Sequence, residues 1–142
     1  MMDEPQYQGR LFGDISAITQ INRLSRPLTT LLQRDDWHHR LLNGSDYPLP
    51  GVMPLFSVST MVEQGYLEAK LAEPIAALRH HNPLLFDFVL KRHLEVDGKR
   101  FADSVFESGR TFAAFENRKN VTARPLTDGN NGGETEQAHS PL

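Results

Sequence analysis

Leu84-Leu85-Phe86-Asp87-Phe88-Val89-Leu90-Lys91-Arg92-His93-Leu94 admits two readings, and the fold class turns on which one is taken. The run is apolar nearly all round, as a buried helix would be. Yet Phe86, Phe88 and Leu90 also alternate with Asp87 and Lys91 as in a strand, with Val89 the exception. Just before it, Asn82-Pro83 offers an N-cap and a first-turn proline, which serve only if a helix follows. Just after it, Val96-Asp97-Gly98-Lys99 reads either as a hairpin turn between alternating segments or as a tight link between helices. Farther on, the spacing of Phe101, Val105, Phe112 and Phe115 is closer to helical, with Gly109 a weak point. On pattern alone helix is slightly favoured.

Upstream the periodicity is helical. Asp14 can N-cap a helix in which Ile15, Ile18, Ile21 and Leu24 recur every third residue. Pro27 opens a second helix that buries Leu28, Leu31, Leu32, Leu41 and Leu42 and is closed by Asn43-Gly44. Thr60 and Glu63 have the spacing of a capping box for a third, with Met61, Val62, Leu67, Leu71, Ile75 and Leu78 inward. Pro74 falls within that pattern and predicts a kink or two short helices, because it removes one hydrogen bond and crowds the preceding turn.

Between the second and third helical patterns lies Ser45-Asp46-Tyr47-Pro48-Leu49-Pro50-Gly51-Val52-Met53-Pro54-Leu55-Phe56. Its three prolines fix three φ angles, so it is a stiff segment. Tyr47, Leu49, Val52, Met53, Leu55 and Phe56 give it more apolar surface than a solvent loop needs, and these six are the candidate contacts with a partner protein.

The chain has 142 residues, enough for one domain with one core. Residues 1–10 are expected as a flexible arm, 11–119 as a single globular domain and 120–142 as a disordered tail rich in Gly, Asn, Thr and acid. No cysteine is present, which excludes disulfides, thiolate metal sites and a cysteine nucleophile, and fits a reducing, cytoplasmic location. Residues 11–119 carry 13 basic and 13 acidic side chains, a neutral body where a general nucleic-acid binder would be basic. No apolar run reaches the roughly 18 residues of a membrane helix, so no membrane insertion is expected.

Few residues point to a reaction. Asp35 and His39 are one helical turn apart, and His38, His80, His81 and His93 add further nitrogens. Adjacent histidines diverge by about 100° on a helix, however, and no HExxH is present, so no metal or cofactor is assigned. Asp35-Asp36 diverge in the same way, and neither a GxSxG elbow nor a phosphate loop occurs, so no catalytic residue is assigned and no enzyme expected. Lys91, Arg92, Lys99 and Arg100 form the nearest thing to a basic patch and are the candidate nucleic-acid contacts, though Glu95 and Asp97 interrupt them.

The order of these features resembles the small baseplate wedge family of contractile injection machines, the lysozyme-like wedge subunit of phage tails and its type VI secretion counterpart. The matching pieces are the anchor Gly9-Arg10-Leu11-Phe12, the helix ending Leu31-Leu32-Gln33-Arg34, and Asp46-Tyr47-Pro48-Leu49-Pro50-Gly51 where the family has Asp-Tyr-Gly-Leu-Pro-Asp. Asn82-Pro83-Leu84-Leu85 stands where the family carries Glu-Pro-Arg-Leu before a strand. Pro48 replaces the family's glycine and Gly51 its acid. The resemblance implies a structural subunit, not a lysozyme, that docks on other wedge proteins and seeds the sheath by strand exchange.

With the resemblance included, the expected fold is α+β: N-terminal helices, the Pro-rich loop, a helix, then a small antiparallel sheet, with all-α as the alternative. The expected function is a non-enzymatic assembly subunit whose partners are other protein chains. A small helical nucleic-acid-binding or regulatory protein is the alternative.

Overall fold

The computed structural model describes residues 1–114; Phe115 and the expected tail lie outside the described residues. The class is α+β with helices dominant. In chain order the elements are β1 (Gly13–Asp14), α1 (Arg26–Gln33), β2 (Leu41–Leu42), α2 (Val58–Glu63), α3 (Ala69–His81), α4 (Pro83–His93), β3 (Glu95–Val96), β4 (Lys99–Arg100) and α5 (Asp103–Phe106). Short 3-10 segments at Pro5–Tyr7, Ile21–Arg23, Asp35–Arg40 and Leu49–Gly51 join them. Residues 108–114 are helical. α3 packs along α4, α2 against α3, and α1 against the hairpin β3–β4.

The deciding segment is a helix. Asn82 caps it, its Oδ1 accepting from the Leu85 amide at 3.0 Å, and Pro83 occupies the first turn where its missing N–H costs nothing. The strand reading would put Phe86 and Phe88 on one face, whereas Phe86 is fully buried and Phe88 is 36% exposed. The buried stripe is Phe86, Asp87, Leu90, Lys91 and Leu94, one helical face that includes both charges the strand reading had placed in solvent.

The antiparallel sheet does form, but after the helix. Glu95 pairs with Arg100 and Val96 with Lys99 across the turn Asp97-Gly98, whose φ angles of 51° and 75° are those of a tight two-residue hairpin.

The N-terminal third departs most from its helical reading. Ile15, Ile18 and Leu24 are buried as the three-residue spacing implies, but Ile21 is exposed and no helix carries them. Asp14 accepts from the Ser16 amide at 2.6 Å, closing a local turn instead of capping a helix, and Ala17 takes a left-handed φ of 53° that no helix tolerates. The second helix ends at Gln33 instead of Leu42. Leu41–Leu42 instead pairs in parallel with Gly13–Asp14, and the Asn43 amide donates to Val105 O. Gly44 is no helix cap. A Cβ there would meet Ser16 Oγ and the Asp14 carboxylate, so the glycine permits close approach of two chain segments.

In the middle third the cap of α2 is Ser57, whose Oγ accepts from the Thr60 amide at 3.2 Å; Thr60 lies inside the helix. Gly65, at φ 78°, ends α2, with Gly65 N bonded to Val62 O and Tyr66 N to Met61 O, the double bond pattern of a left-handed helix stop. α3 continues through Pro74, which forfeits one hydrogen bond but faces solvent, where water can satisfy the freed carbonyl. One apolar cluster then gathers Ile15, Leu28, Leu32, Phe56, Met61, Phe86, Leu90, Leu94 and Val105, all shielded from solvent. Burial of each such side chain contributes about 1.5–3 kcal/mol before ordering costs.

Residues 1–10 lie against the turn at Asp35–Arg40. Asp3 accepts from Arg34 and from Trp37 Nε1, and Met2 O accepts from the buried Arg40.

Candidate interaction surface

The loop at 45–56 divides its apolar side chains between two sides. Phe56 is fully buried, Pro50 is buried, and Leu49 packs half-buried on the core. These three anchor the loop, so Phe56 is removed from the expected contact set: a side chain with no exposed surface cannot touch a partner. Gly51 rests on Pro83 so closely that an ideal Cβ would stand 3.3 Å from its Cγ, which ties the loop to the start of α4. Tyr47 and Met53 are 65% and 63% exposed, and Val52 and Leu55 also face outward.

The backbone that presents them is held by bonds from Leu49 N to Asp46 O, Gly51 N to Pro48 O and Ile21 N to Leu55 O. The Tyr47-Pro48 and Met53-Pro54 peptide bonds are cis.

Beside this loop, α4 leaves Leu84, Leu85 and Phe88 exposed, with Phe88 edge-on to Phe106 at 5.3 Å between ring centres. A cavity of about 540 Å3 lies here, lined by Asn43, Gly44, Ser45, Asn82, Leu84, Leu85, Asp87 and Phe88. Asp87 and Lys91, one helical turn apart, form an ion pair at 2.6 Å with exposures of 1% and 0%. Lys91 Nζ also donates to Gly44 O at 2.7 Å, joining α4 to the segment after β2. Burial pushes the Asp87 carboxyl above the usual range and the Lys91 ammonium below its own, each shift opposed by the partner's charge. Asp87 Oδ1 and Asn43 Oδ1 are buried and accept from no donor among the described residues.

The four candidate nucleic-acid contacts are not gathered into a basic field. Lys91 is wholly inside and cannot reach a phosphate. Arg92 pairs with Asp103 at 2.7 Å, Lys99 with Asp35 at 3.2 Å, and Arg100 with Glu95 at 2.5 Å. Each exposed cation therefore already faces a carboxylate, and the outward potential is small.

Two of the histidines, His38 and His93, have hydrogen-bond partners among the described residues. Ala102 N donates to His38 Nδ1 at 3.1 Å, which makes Nδ1 the acceptor and leaves the Nε2 proton to Leu31 O at 2.8 Å, a neutral ring inside the fold. His93 Nδ1 lies 2.8 Å from Val89 O, and His80 and His81 close α3. Among the described residues no three His, Cys, Asp or Glu side chains are placed to share a metal ion. No helix among them is long and apolar enough to cross a membrane.

The Asp87–Lys91 pair is what sequence reasoning missed. Its signal was the four-residue spacing of opposite charges, visible only once the segment is read as a helix. Neither the family models, the curated proteins nor the solved structures contain a match to this chain.

Proposed function

We propose that this chain is a non-enzymatic assembly subunit that docks on another protein through the outer face of the 45–56 loop and the adjoining start of α4. The observation that carries this reading is the exposure of Tyr47, Val52, Met53 and Leu55 on a loop whose other side is anchored by Phe56 and Pro50. Large apolar groups on a pre-ordered segment lose little entropy on binding, which is the usual character of an interface anchor. Neutralised cations at 92, 99 and 100 weigh against the nucleic-acid alternative.

A contractile-machine baseplate, acting in the cytoplasm, is the assembly that the sequence resemblance suggests. That finer reading has one feature against it, since Pro83–His93 is a helix where the resemblance implies a strand. The proposal rests on the loop surface, and the baseplate is one setting for it.

A photo-crosslinking amino acid at Tyr47 or Met53, with Gln64 as the control position, tests the proposal in native lysate. One partner chain should cross-link from the two loop positions and not from the control, and the complex should survive moderate salt because apolar docking is weakly screened. Equal labelling from all three positions, or a complex released by salt and dependent on Arg92, would transfer the assignment to the nucleic-acid reading.

A further inference from the structure

We infer that the cavity between the end of the 45–56 loop and α3 receives a carboxylate, an aspartate or glutamate side chain that the docking partner presents to Arg79. The inference rests on the docking reading and specifies the chemistry of the partner.

The cavity, of about 350 Å3, opens between Met53, Phe56 and Ser59 on one side and Ala72, Ala76 and Arg79 of α3 on the other. Met53 is also one of the outward-facing loop residues, so an occupant of the cavity touches the docking surface.

The first ground is what holds Arg79. Its guanidinium lies over the buried Phe86 ring at 4.3 Å, Nη2 donates to Phe56 O at 2.9 Å, and Nη1 donates to Met53 Sδ. A ring face, a carbonyl and a thioether orient the group without neutralising it, and the thioether is a weak acceptor. Unlike Arg92, Lys99 and Arg100, Arg79 has no carboxylate partner among the described residues. Burial accordingly pushes its guanidinium below the usual range with no acid opposing the shift.

Nε is enclosed and out of reach of a ligand. The residue as a whole is only half-buried and lines the cavity, and Nη1 and Nη2 each keep a second N–H with no acceptor among the described residues. Uncommitted N–H groups on a planar, pre-oriented guanidinium suit a carboxylate, whose two oxygens only accept.

The second ground is the distribution of charge along the cavity. Glu73 also lines it, exposed, six residues before Arg79 and so about 9 Å away along the axis of α3. An acid at that end repels a run of phosphates but leaves the Arg79 end to a single carboxylate, which separates an acidic side chain from nucleic acid. Val58, Ala72 and Ala76 supply apolar walls for the methylene stem.

The test titrates the full chain with acetyl-Leu-Glu-Leu-amide and with acetyl-Leu-Gln-Leu-amide, read by amide NMR shifts. The glutamate peptide should bind at least about fivefold more tightly, as a charge-assisted hydrogen bond warrants, with shifts gathered at 53–59 and 72–79. Arg79→Gln should remove that preference. Should this variant loosen the loop or fail to fold, Glu73→Gln, on the exposed rim, should still strengthen the glutamate peptide about twofold at unchanged melting temperature, while the glutamine peptide is unaffected.

Equal binding of the two peptides, shifts elsewhere, or indifference to Glu73→Gln would overturn the inference. Acetate binding as tightly as the glutamate peptide would also overturn it, by making the ligand a small anion, and so would an oligonucleotide that shifts the same amides more tightly. Cross-linking from Tyr47 and Met53 reports separately: a captured partner with no glutamate preference leaves the docking proposal standing and removes only this inference.

Discussion

Residues 45–56 and residues 91–100 both present themselves in the sequence as contact surfaces, one apolar and one basic, and the fold treats them oppositely. The loop keeps Phe56 and Pro50 inside and leaves Tyr47 and Met53 largely in solvent, with Met53 Sδ accepting from Arg79. The basic segment encloses Lys91 with Asp87 and matches Arg92, Lys99 and Arg100 with carboxylates. A surface available to a partner is one whose interactions the chain has not already satisfied, and only the loop meets that condition.

The contrast is most open to attack at its buried members. Lys91→Ala should cost about 3–5 kcal/mol, because it strands a buried carboxylate, and Phe56→Ala about the same through the cavity it leaves. Urea unfolding measures both. A mild Lys91→Ala would mean that the pair is solvated and that Lys91 is free for outside contacts after all.

The next effect is on binding. Tyr47→Ala and Met53→Ala should each weaken partner capture about tenfold while moving stability by less than about 0.5 kcal/mol. A stability loss like that of Phe56→Ala would show the two sides of the loop to be equivalent.

A smaller effect separates the charge pair from its geometry. Asp87→Leu combined with Lys91→Met should recover most of the stability that Lys91→Ala loses, since an apolar pair of similar size needs no desolvation. The same double variant exposes a pH dependence. Burial raises the Asp87 carboxyl, so the folded chain holds that proton more tightly than the unfolded one, and this contribution to stability is lost as pH rises from about 4 through the folded value. Lys91, lowered by burial, works in the opposite sense on the alkaline side, up to about pH 10.4. Between pH 4 and 7 the double variant should therefore gain more in melting temperature than the wild type. A steeper gain in the wild type would place Asp87 below the usual carboxylate range.

The smallest change is expected at the outer cations. Lys99→Ala and Arg100→Ala should leave both melting temperature and partner capture unchanged within error, since exposed pairs are solvated in either state. Loss of capture in either variant would bring the basic segment into the interface.

Legibility followed the range of the interaction. Asn82-Pro83 marked a helix start, and Asp97-Gly98 a tight turn that suited a hairpin or a helix link equally, because each acts within a few residues of itself. The pattern at 15, 18, 21 and 24 picked three buried residues, one exposed one and the wrong secondary structure, since an apolar spacing marks what tends to be inside without saying how the chain takes it there. The turn at Asp14–Ser16 and the left-handed Ala17 won locally, and the parallel pairing with Leu41–Leu42 held the result. In the candidate surface the exposed loop residues were legible as apolar on a stiff segment. Phe56 was not separable from them, because its burial depends on packing against residues distant in sequence, with Arg79 of α3 bonded to its carbonyl.

By itself the sequence determined the cap of α4, a tight turn at Asp97-Gly98 and a proline-stiffened apolar loop, all of which rest on local backbone preference, whereas α+β over all-α was expected only once the family resemblance was included. Only the tertiary structure decided which face of α4 turns inward, that Asp87 and Lys91 are enclosed together, and that Lys99 meets Asp35 across 64 residues of chain. The reason is physical: a cap or turn is satisfied by its neighbours in sequence, whereas the fate of a charge depends on which distant groups packing brings within a few ångström of it.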